Sequence, residues 1–138
     1  MQVYEMDYED AGQAVRWITE RIRITTGNDQ LEFDGDWLPM TGLSAYDDRM
    51  HLKAVAILYL EKNSPVAVCG WCVANPENSI WQSREAVRLL MEKMPYYAKS
   101  QGAKYLMSMF GNRGINHILD GLDYINSETC ETKFMKLR

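Results

Sequence analysis

The sequence contains few of the residues that bind metals or form disulfides. It has three cysteines and only two histidines in 138 residues. An odd, low number of cysteines does not fit the disulfide framework of a small secreted protein. No segment is apolar over the length of a bilayer, and the acidic start MQVYEMDYED is unlike a secretory signal peptide. These absences predict a cytoplasmic protein with no membrane partner.

The sequence also has fewer positively than negatively charged residues. Lys and Arg together number 15 against 19 Asp and Glu, so the net charge is -4. Nucleic-acid binding needs a positive surface, and the sequence therefore predicts no nucleic-acid partner. The rest of the composition is ordinary, with 46% hydrophobic and 25% charged residues, and it predicts a single domain over residues 1–138.

Two of the three cysteines have the spacing of a redox or zinc-binding pair, in the stretch VAVCGWCVAN over residues 66–75. A redox pair needs a helix N-terminus, and zinc needs four ligands, for which there is no second pair. The apolar residues and the proline that follows predict a buried strand instead. On a regular strand Cys69 and Cys72 point to opposite faces, unless Gly70 bends it. No metal site is predicted.

Hydrophobic periodicity predicts strands and helices in alternation. A strand over residues 2–6 is followed by a helix that Asp7 caps and that ends near Gly27. Residues 28–50 are predicted to be irregular, with room for a strand at LEF (31–33) and a short helix over 44–50. This acidic segment is either a solvated loop or a lid over a pocket, where it would favour a cationic substrate.

The remaining pattern begins with a hairpin of strands at 53–61 and 65–74. A helix that starts at Ser79 or Ser83 follows, with Pro95 expected to kink it or start a new turn. The last predicted elements are a strand (104–110), a helix (112–122) and two strands (124–128 and 132–137). The order β-α-loop-β-β-α-β-α-β-β predicts an α/β layered domain with helices on a mixed central sheet.

The chain from about residue 53 to 138 resembles the GNAT N-acetyltransferases. The segment YYAKSQGAKYLMSM, residues 96–109, is similar to the end of the family's third helix and its fifth strand. In the family this strand is followed by an Asn and then by a helix that carries an Ala-like residue, a Tyr and a Gly-Phe pair. At the same spacing this sequence has Asn112, followed by Ile115, Leu119 and the pair Asp123-Tyr124. The opening VYEMDYEDAGQAV is also similar. The resemblance implies a GNAT-like fold and acetyl transfer from acetyl-CoA to an amine of a small molecule or protein.

The resemblance also implies a cofactor site. The family's pyrophosphate loop, Gln/Arg-x-x-Gly-x-Gly/Ala, corresponds here to a segment without glycine: Gln82, Ser83, Arg84, Glu85, Ala86 and Val87. Glu85 adds negative charge at the implied phosphate position, which Arg84 or Arg88 would offset. The implied cleft lies between the strand that ends near Val73 and this helix start, with Asn112 beside it. The same segment fits an ordinary capped helix start slightly better, because an acidic residue is favourable there.

No catalytic residue follows from the sequence. The family's proton-donating tyrosine corresponds here to Leu119, which has no proton to give. The other candidate acids and bases are Tyr59, Tyr96, Tyr97, Tyr105 and Glu61. No motif places any of them at a thioester. His117 is expected to be a surface or packing residue.

Two further questions stay open at this level. The family's sheet has three strands between its first helices and its third helix, and only two are clear here. Either LEF supplies the third, or Gly70 splits the second strand, or the sheet is reduced. The chain is either an acetyltransferase or a degenerate GNAT-like protein that binds a protein partner, like the small phage-encoded proteins that serve in virions or modify host enzymes. Pairing of the terminal strands with a second copy would give a homodimer.

Overall fold

The chain folds into a mixed sheet with helices on both faces, in a computed structural model that describes residues 1–28, 38–110 and 112–125. Within these residues the sheet has five strands in the order β1-β2-β3-β4-β5. The strands are β1 (Gln2–Glu5), β2 (Gly42–Tyr46), β3 (Leu52–Leu60), β4 (Val66–Ala74) and β5 (Tyr105–Ser108). The helices are α1 (Tyr8–Thr26), α2 (Ile80–Ser100) and α3 (Arg113–Asp120).

The strands are antiparallel to their neighbours except for β4 and β5, which are parallel. A parallel pair needs a crossover connection, and α2 provides it. Side chains of β3 alternate between the two faces of the sheet. Val55 and Ile57 pack with α1, whereas Ala54 and Ala56 pack with α2 and α3. The predicted α/β layered domain with a mixed central sheet is confirmed.

The first helix begins and ends where the sequence predicts. Asp7 caps α1 in a capping box with Asp10, and Gly27 ends it in a left-handed conformation with φ 67°. Asp10 is only 3% exposed, yet its carboxylate accepts hydrogen bonds from the Ser44 hydroxyl at 2.8 Å and from the Tyr46 hydroxyl. These bonds fix β2 against the start of α1.

The strand β2 corrects the prediction of a short helix over residues 44–50. Leu43 and Ala45 face α2, while Ser44 and Tyr46 face α1, which is the alternation of a strand. The chain then turns at Asp47, whose carboxylate accepts from the backbone N–H of Arg49 and of His51. With β3 and β4, β2 thus makes three strands between α1 and α2. The LEF segment lies outside the described residues.

The second helix, α2, starts at Ile80, and Ser79 rather than Ser83 is its cap. It continues through Pro95, which has no N–H to donate to the Met91 carbonyl four residues earlier. The Tyr124 hydroxyl donates to that carbonyl instead, at 3.0 Å. Tyr124 therefore satisfies the acceptor that the proline leaves without its usual partner, and it fixes the chain after α3 against α2.

Only part of the predicted C-terminal elements lies within the described residues. α3 begins at Arg113 and buries Ile115, Ile118 and Leu119, as the sequence predicts. Tyr124 and Ile125 are not in a strand, and the rest of the two closing strands lies outside the described residues. Among the described helices, none has the length and apolar character needed to cross a bilayer.

Candidate functional site

The strands β4 and β5 are paired only at the start of β4. Their parallel register runs from Val66 opposite Tyr105 to Cys69 opposite Ser108. The last hydrogen bond that joins them runs from the Met109 N–H to the Cys69 carbonyl, at 3.3 Å. β4 continues to Ala74, while the chain after β5 leads into α3. Among the described residues, the second half of β4 therefore has β3 on one side and an opening on the other.

A β-bulge lies where the opening begins. Leu58 pairs with Cys69 and Ile57 with Trp71, so Gly70 is an extra residue in β4. The extra residue changes the alternation of side chains along the strand. Cys69 and Cys72 consequently pack in the same core, on the α2 face.

This arrangement corrects the expectation that the two cysteines point to opposite faces. Both are buried free thiols. Burial raises the pKa of Cys69 well above its ordinary value, and the neighbouring Cys72 raises it further. Burial also raises the pKa of Cys72 to about 12. Thiols with a raised pKa stay protonated and are poor nucleophiles and poor metal ligands. The two cysteines are therefore packing residues of the hydrophobic core.

The backbone of β4 beyond the bulge directs polar groups into the opening. The Asn75 N–H donates to the Lys53 carbonyl on β3, at 2.9 Å. Because backbone groups alternate between the two sides of a strand, those of Val73 also face β3. The N–H and C=O groups of Cys72 and Ala74 face the other side, where β5 no longer pairs with β4.

The N-terminus of α2 lies at the same edge of the sheet, after the carboxyl end of β4. Ser79 and Gln82 form a capping box, in which each side chain accepts from the other's backbone N–H. These bonds occupy two of the four N–H groups that a helix start leaves without an intrahelical partner. The N–H groups of Ile80 and Trp81 belong to the same four and are not used by the cap.

The predicted cofactor residues fall into three environments. Gln82 is taken up by the cap, and Ser83 is half-buried, with its hydroxyl 3.3 Å from the Asn78 side-chain amide. Arg84 and Glu85 are exposed, and the Arg84 guanidinium lies 5.9 Å from the centre of the Trp81 ring.

The other predicted positions serve the fold. Ala86 and Val87 are buried in the core beneath α2 and have no surface to offer a ligand. Val73 is buried on the α1 face. Asn112 caps α3, and its side chain accepts from the backbone N–H of Gly114 and Ile115. The starts of α2 and α3 and the opening meet at the carboxyl edge of β4 and β5, where ligands bind in open α/β sheets.

The loop between β4 and α2 contains two residues that sequence reasoning missed. The Asn78 side-chain amide donates to the Lys53 carbonyl at 2.9 Å, which ties the loop to β3. Its buried Oδ1 atom has no hydrogen-bond partner among the described residues. The Asn75 side chain accepts from the Glu77 N–H. The run Asn-Pro-Glu-Asn-Ser, rich in turn-forming residues, was the available signal for a rigid loop.

Of the candidate acids and bases of the sequence, Tyr59 and Glu61 line one concavity near the turn between β3 and β4. Tyr96 and Tyr105 are exposed, and Tyr97 lines a groove of about 660 Å³ beside β1. Leu119, at the position of the family's tyrosine, is buried under α3. Of the tyrosines considered, only Tyr59 lies at the bulge, where its ring passes over Gly70.

Comparisons with known proteins support the fold. No protein-family model matches the chain, and no curated protein matches its sequence. The solved structure of a probable acetyltransferase is similar over 100% of this chain and 99% of its own, with a TM-score of 0.67 and 12% identity.

Two aminoglycoside acetyltransferases are similar as well. One, from an uncultured soil metagenomic sample and in complex with sisomicin, covers 99% of this chain and 96% of its own at a TM-score of 0.62 and 10% identity. The other, an aminoglycoside N-acetyltransferase in complex with CoA, covers 99% and 100% at a TM-score of 0.60 and 13% identity. The chain therefore has a GNAT-like fold. At identities this low, the similarity shows the fold and nothing further.

Proposed function

We propose that this protein binds acetyl-CoA in the opening between β4 and β5 and transfers the acetyl group to an amine of a small molecule or protein. The observation that carries the proposal is the second half of β4, whose backbone groups at Cys72 and Ala74 face the opening. Polar backbone groups away from water need partners. The amides of an extended pantetheine arm can hydrogen-bond to these backbone groups, as the backbone of an additional β-strand would.

The start of α2 suits the pyrophosphate. The N–H groups of Ile80 and Trp81 are not used by the capping box, and a helix N-terminus favours anions through its dipole. Arg84 follows one turn later and is exposed.

Acetyl transfer forms a C–N bond and breaks the C–S bond of the thioester. In the net reaction one proton moves from the amine to the departing thiolate. A backbone N–H of β4 that donates to the thioester carbonyl would stabilise the charge that develops there. Bound acetyl-CoA supplies the activated acyl group. The buried Leu119 leaves no donor at the family's usual position, so the thiolate proton comes from solvent or from another residue.

A second candidate function is that of a protein-binding module, such as a phage virion component or a modifier of a host enzyme. The favouring observation is the exposure of large apolar side chains at the start of α2, where Ile80 is 76% and Trp81 75% exposed. Aromatic residues of this kind are enriched at protein interfaces. On this alternative the GNAT-like scaffold is retained without its chemistry.

Calorimetric titration with acetyl-CoA separates the two functions. We expect saturable binding by the unmodified protein, followed by release of free CoA thiol when a panel of primary amines is added. Glu85→Gly, which removes the carboxylate within the implied phosphate segment, should bind at least as tightly. Glu92→Gln, farther along α2, is the control for loss of charge alone. Absence of binding by both the unmodified protein and Glu85→Gly would contradict the proposal and favour the binding module.

A further inference from the structure

The strand β1 forms one edge of the described sheet and has β2 as its neighbour on one side. The Met6 N–H, just beyond β1, donates to the Gly42 carbonyl at 3.0 Å. Backbone groups alternate along an antiparallel strand, so those of Tyr4 also face β2. The N–H and C=O groups of Val3 and Glu5 consequently point to the outer edge, where no strand of the described part of the chain pairs with them.

A groove of about 660 Å³ runs between this edge and α2. Val3 packs against the core on the α2 face, and Glu5, two residues later in the strand, is on the same face. The helix side of the groove is lined by Leu89, Lys93 and Tyr97, which are spaced by four residues along one face of α2. The groove therefore has polar backbone groups on its strand side and side chains of both characters on its helix side.

The order of side chains along the groove follows from the contact between Glu5 and Tyr97. Burial raises the pKa of Tyr97, and the negative charge of Glu5 raises it further because the carboxylate lies near the hydroxyl. Both β1 and α2 run away from the edge of the sheet at which β4 ends. A helix advances about 6 Å over four residues and a strand about 6.8 Å over two. Lys93 therefore lies level with Val3.

The two charged residues of the groove have no ionic partner. Glu5 and Lys93 are both exposed, and neither forms an ion pair among the described residues. They lie one step apart along the groove and carry opposite charges. A surface with this pattern is complementary to itself, because a twofold axis between two copies brings each charge to its opposite.

We propose that this groove binds a second copy of the chain, with the two β1 strands paired antiparallel about a twofold axis at Tyr4. Val3 of each copy then lies opposite Glu5 of the other, and their outward backbone groups hydrogen-bond to one another. Glu5 of each copy also comes level with Lys93 of the other. The two Tyr4 rings meet on the α1 face, where this side chain is 42% exposed. A register with Glu5 opposite Glu5 is disfavoured by its like charges.

This interface is separate from the proposed acetyl-CoA site. β2 and β3 lie between β1 and β4, so the opening between β4 and β5 stays accessible in the dimer. It also differs from the pairing of terminal strands that the family resemblance implies, since β1 is at the other edge of the sheet from β5. The dimer therefore stands or falls independently of acetyl transfer.

Two charge reversals that complement each other test the proposal. In Glu5→Lys two positive charges meet at each contact, and in Lys93→Glu two negative charges meet. Because both contacts of the symmetric dimer change sign, each variant alone should dimerise about tenfold or more weakly than the unmodified protein. An equimolar mixture of the two variants should form a heterodimer, since each then supplies the charges that the other lacks.

Sedimentation velocity over a series of protein concentrations up to about 1 mM measures the association. The paired strands are short, so we expect a micromolar dissociation constant for the unmodified protein. Glu20→Lys, which reverses an exposed charge on α1, is the control and should dimerise normally. Hydrogen exchange reports on the backbone: the Val3 and Glu5 amides should slow as the dimer forms, whereas the Tyr4 amide should be slow throughout.

Three results would overturn the proposal. The first is an unmodified protein that stays monomeric over the whole series. The second is a dimer that neither charge reversal weakens or whose Val3 and Glu5 amides exchange as fast as in the monomer, because such a dimer forms through another surface. The third is a mixture of the two variants that stays monomeric. Calorimetry with acetyl-CoA on the same samples reports on the proposed function separately.

Discussion

The two halves of β4 share one strand but meet different surroundings. From Val66 to Cys69 the strand lies between β3 and β5, and its backbone takes part in both ladders. From Gly70 to Ala74 it pairs with β3, and no other strand of the described part of the chain lies beside it. A single extra residue, Gly70, marks the boundary between them. The comparison shows how one β-bulge can convert the centre of a sheet into the wall of an opening without interrupting the strand.

Both halves contribute side chains to the core on the α2 face, where both cysteines are buried, and only the second half also packs against α1, through Trp71 and Val73. The halves differ as well in their backbone. On its β5 side the second half has polar groups that no described strand pairs, and such groups can bind a ligand.

Proline substitutions at two adjacent positions should have opposite consequences. Val73→Pro removes a hydrogen bond to β3 and a buried side chain, and should lower the free energy of unfolding by about 3 kcal/mol or more. Ala74→Pro removes an N–H that faces the opening, and should cost less than about 1 kcal/mol while it abolishes acetyl-CoA binding. Urea unfolding and calorimetry measure both. Similar destabilisation by the two substitutions would contradict the assigned alternation.

Ile80→Pro tests the start of α2. Proline is favourable at the first position of a helix, where the N–H has no intrahelical partner. Removal of this N–H should weaken acetyl-CoA binding about tenfold or more, the cost of one hydrogen bond to a charged group. Thermal stability should be unchanged. Ile80→Ala keeps the N–H and should bind normally; a greater loss in Ile80→Ala would instead favour the exposed side chain as a binding surface.

The Tyr124 hydroxyl should matter only because residue 95 is proline. Tyr124→Phe leaves the buried Met91 carbonyl without a donor and should cost about 1–2 kcal/mol. In a Pro95→Ala background the N–H of the alanine can reach Met91, so the same substitution should cost less. A double-mutant cycle by urea unfolding measures the difference. Equal costs in the two backgrounds would show that Tyr124 contributes through packing alone.

The two thiols should behave alike although they lie on either side of the bulge. Cys69 and Cys72 should resist iodoacetamide at pH 8 until the protein unfolds, because both are buried. The folded pKa of Cys72, about 12, lies above the ordinary value of 9.0. The folded state therefore binds this proton more tightly, and stability should fall above pH 9 by about 1.4 kcal/mol per pH unit. Cys72→Ala should reduce this slope; rapid labelling of Cys72 alone would contradict the bulge.

Local signals in the sequence predict most of the elements. Asp7, Ser79 and Asn112 each precede a run with helical periodicity, and each caps a helix in the structure. The hairpin of β3 and β4 follows from two apolar runs around a polar turn. In these places the information is carried by residues close together in the chain, so no tertiary contact is needed to decide the outcome.

The errors involve partners that are distant in the chain. Ser44 and Tyr46 are polar residues of β2 that become favourable only because Asp10 lies beside them in the fold. The side-chain alternation around Gly70 depends on the register with β3. The cofactor segment 82–87 was aligned by family spacing, whereas α2 begins at Ile80, so part of that segment is core. Neither the register nor the strand opening can be derived from local periodicity.

The most direct test of the account follows the backbone amides of β4 by NMR during titration with acetyl-CoA. We predict saturable shifts of the Cys72 and Ala74 amide resonances, with little change at Val73 and at Ala67, which are paired within the sheet. Such a pattern would mean that the second half of β4 is the ligand-binding wall. Saturable shifts confined to other parts of the chain, or none at all, would contradict the proposed role of the opening.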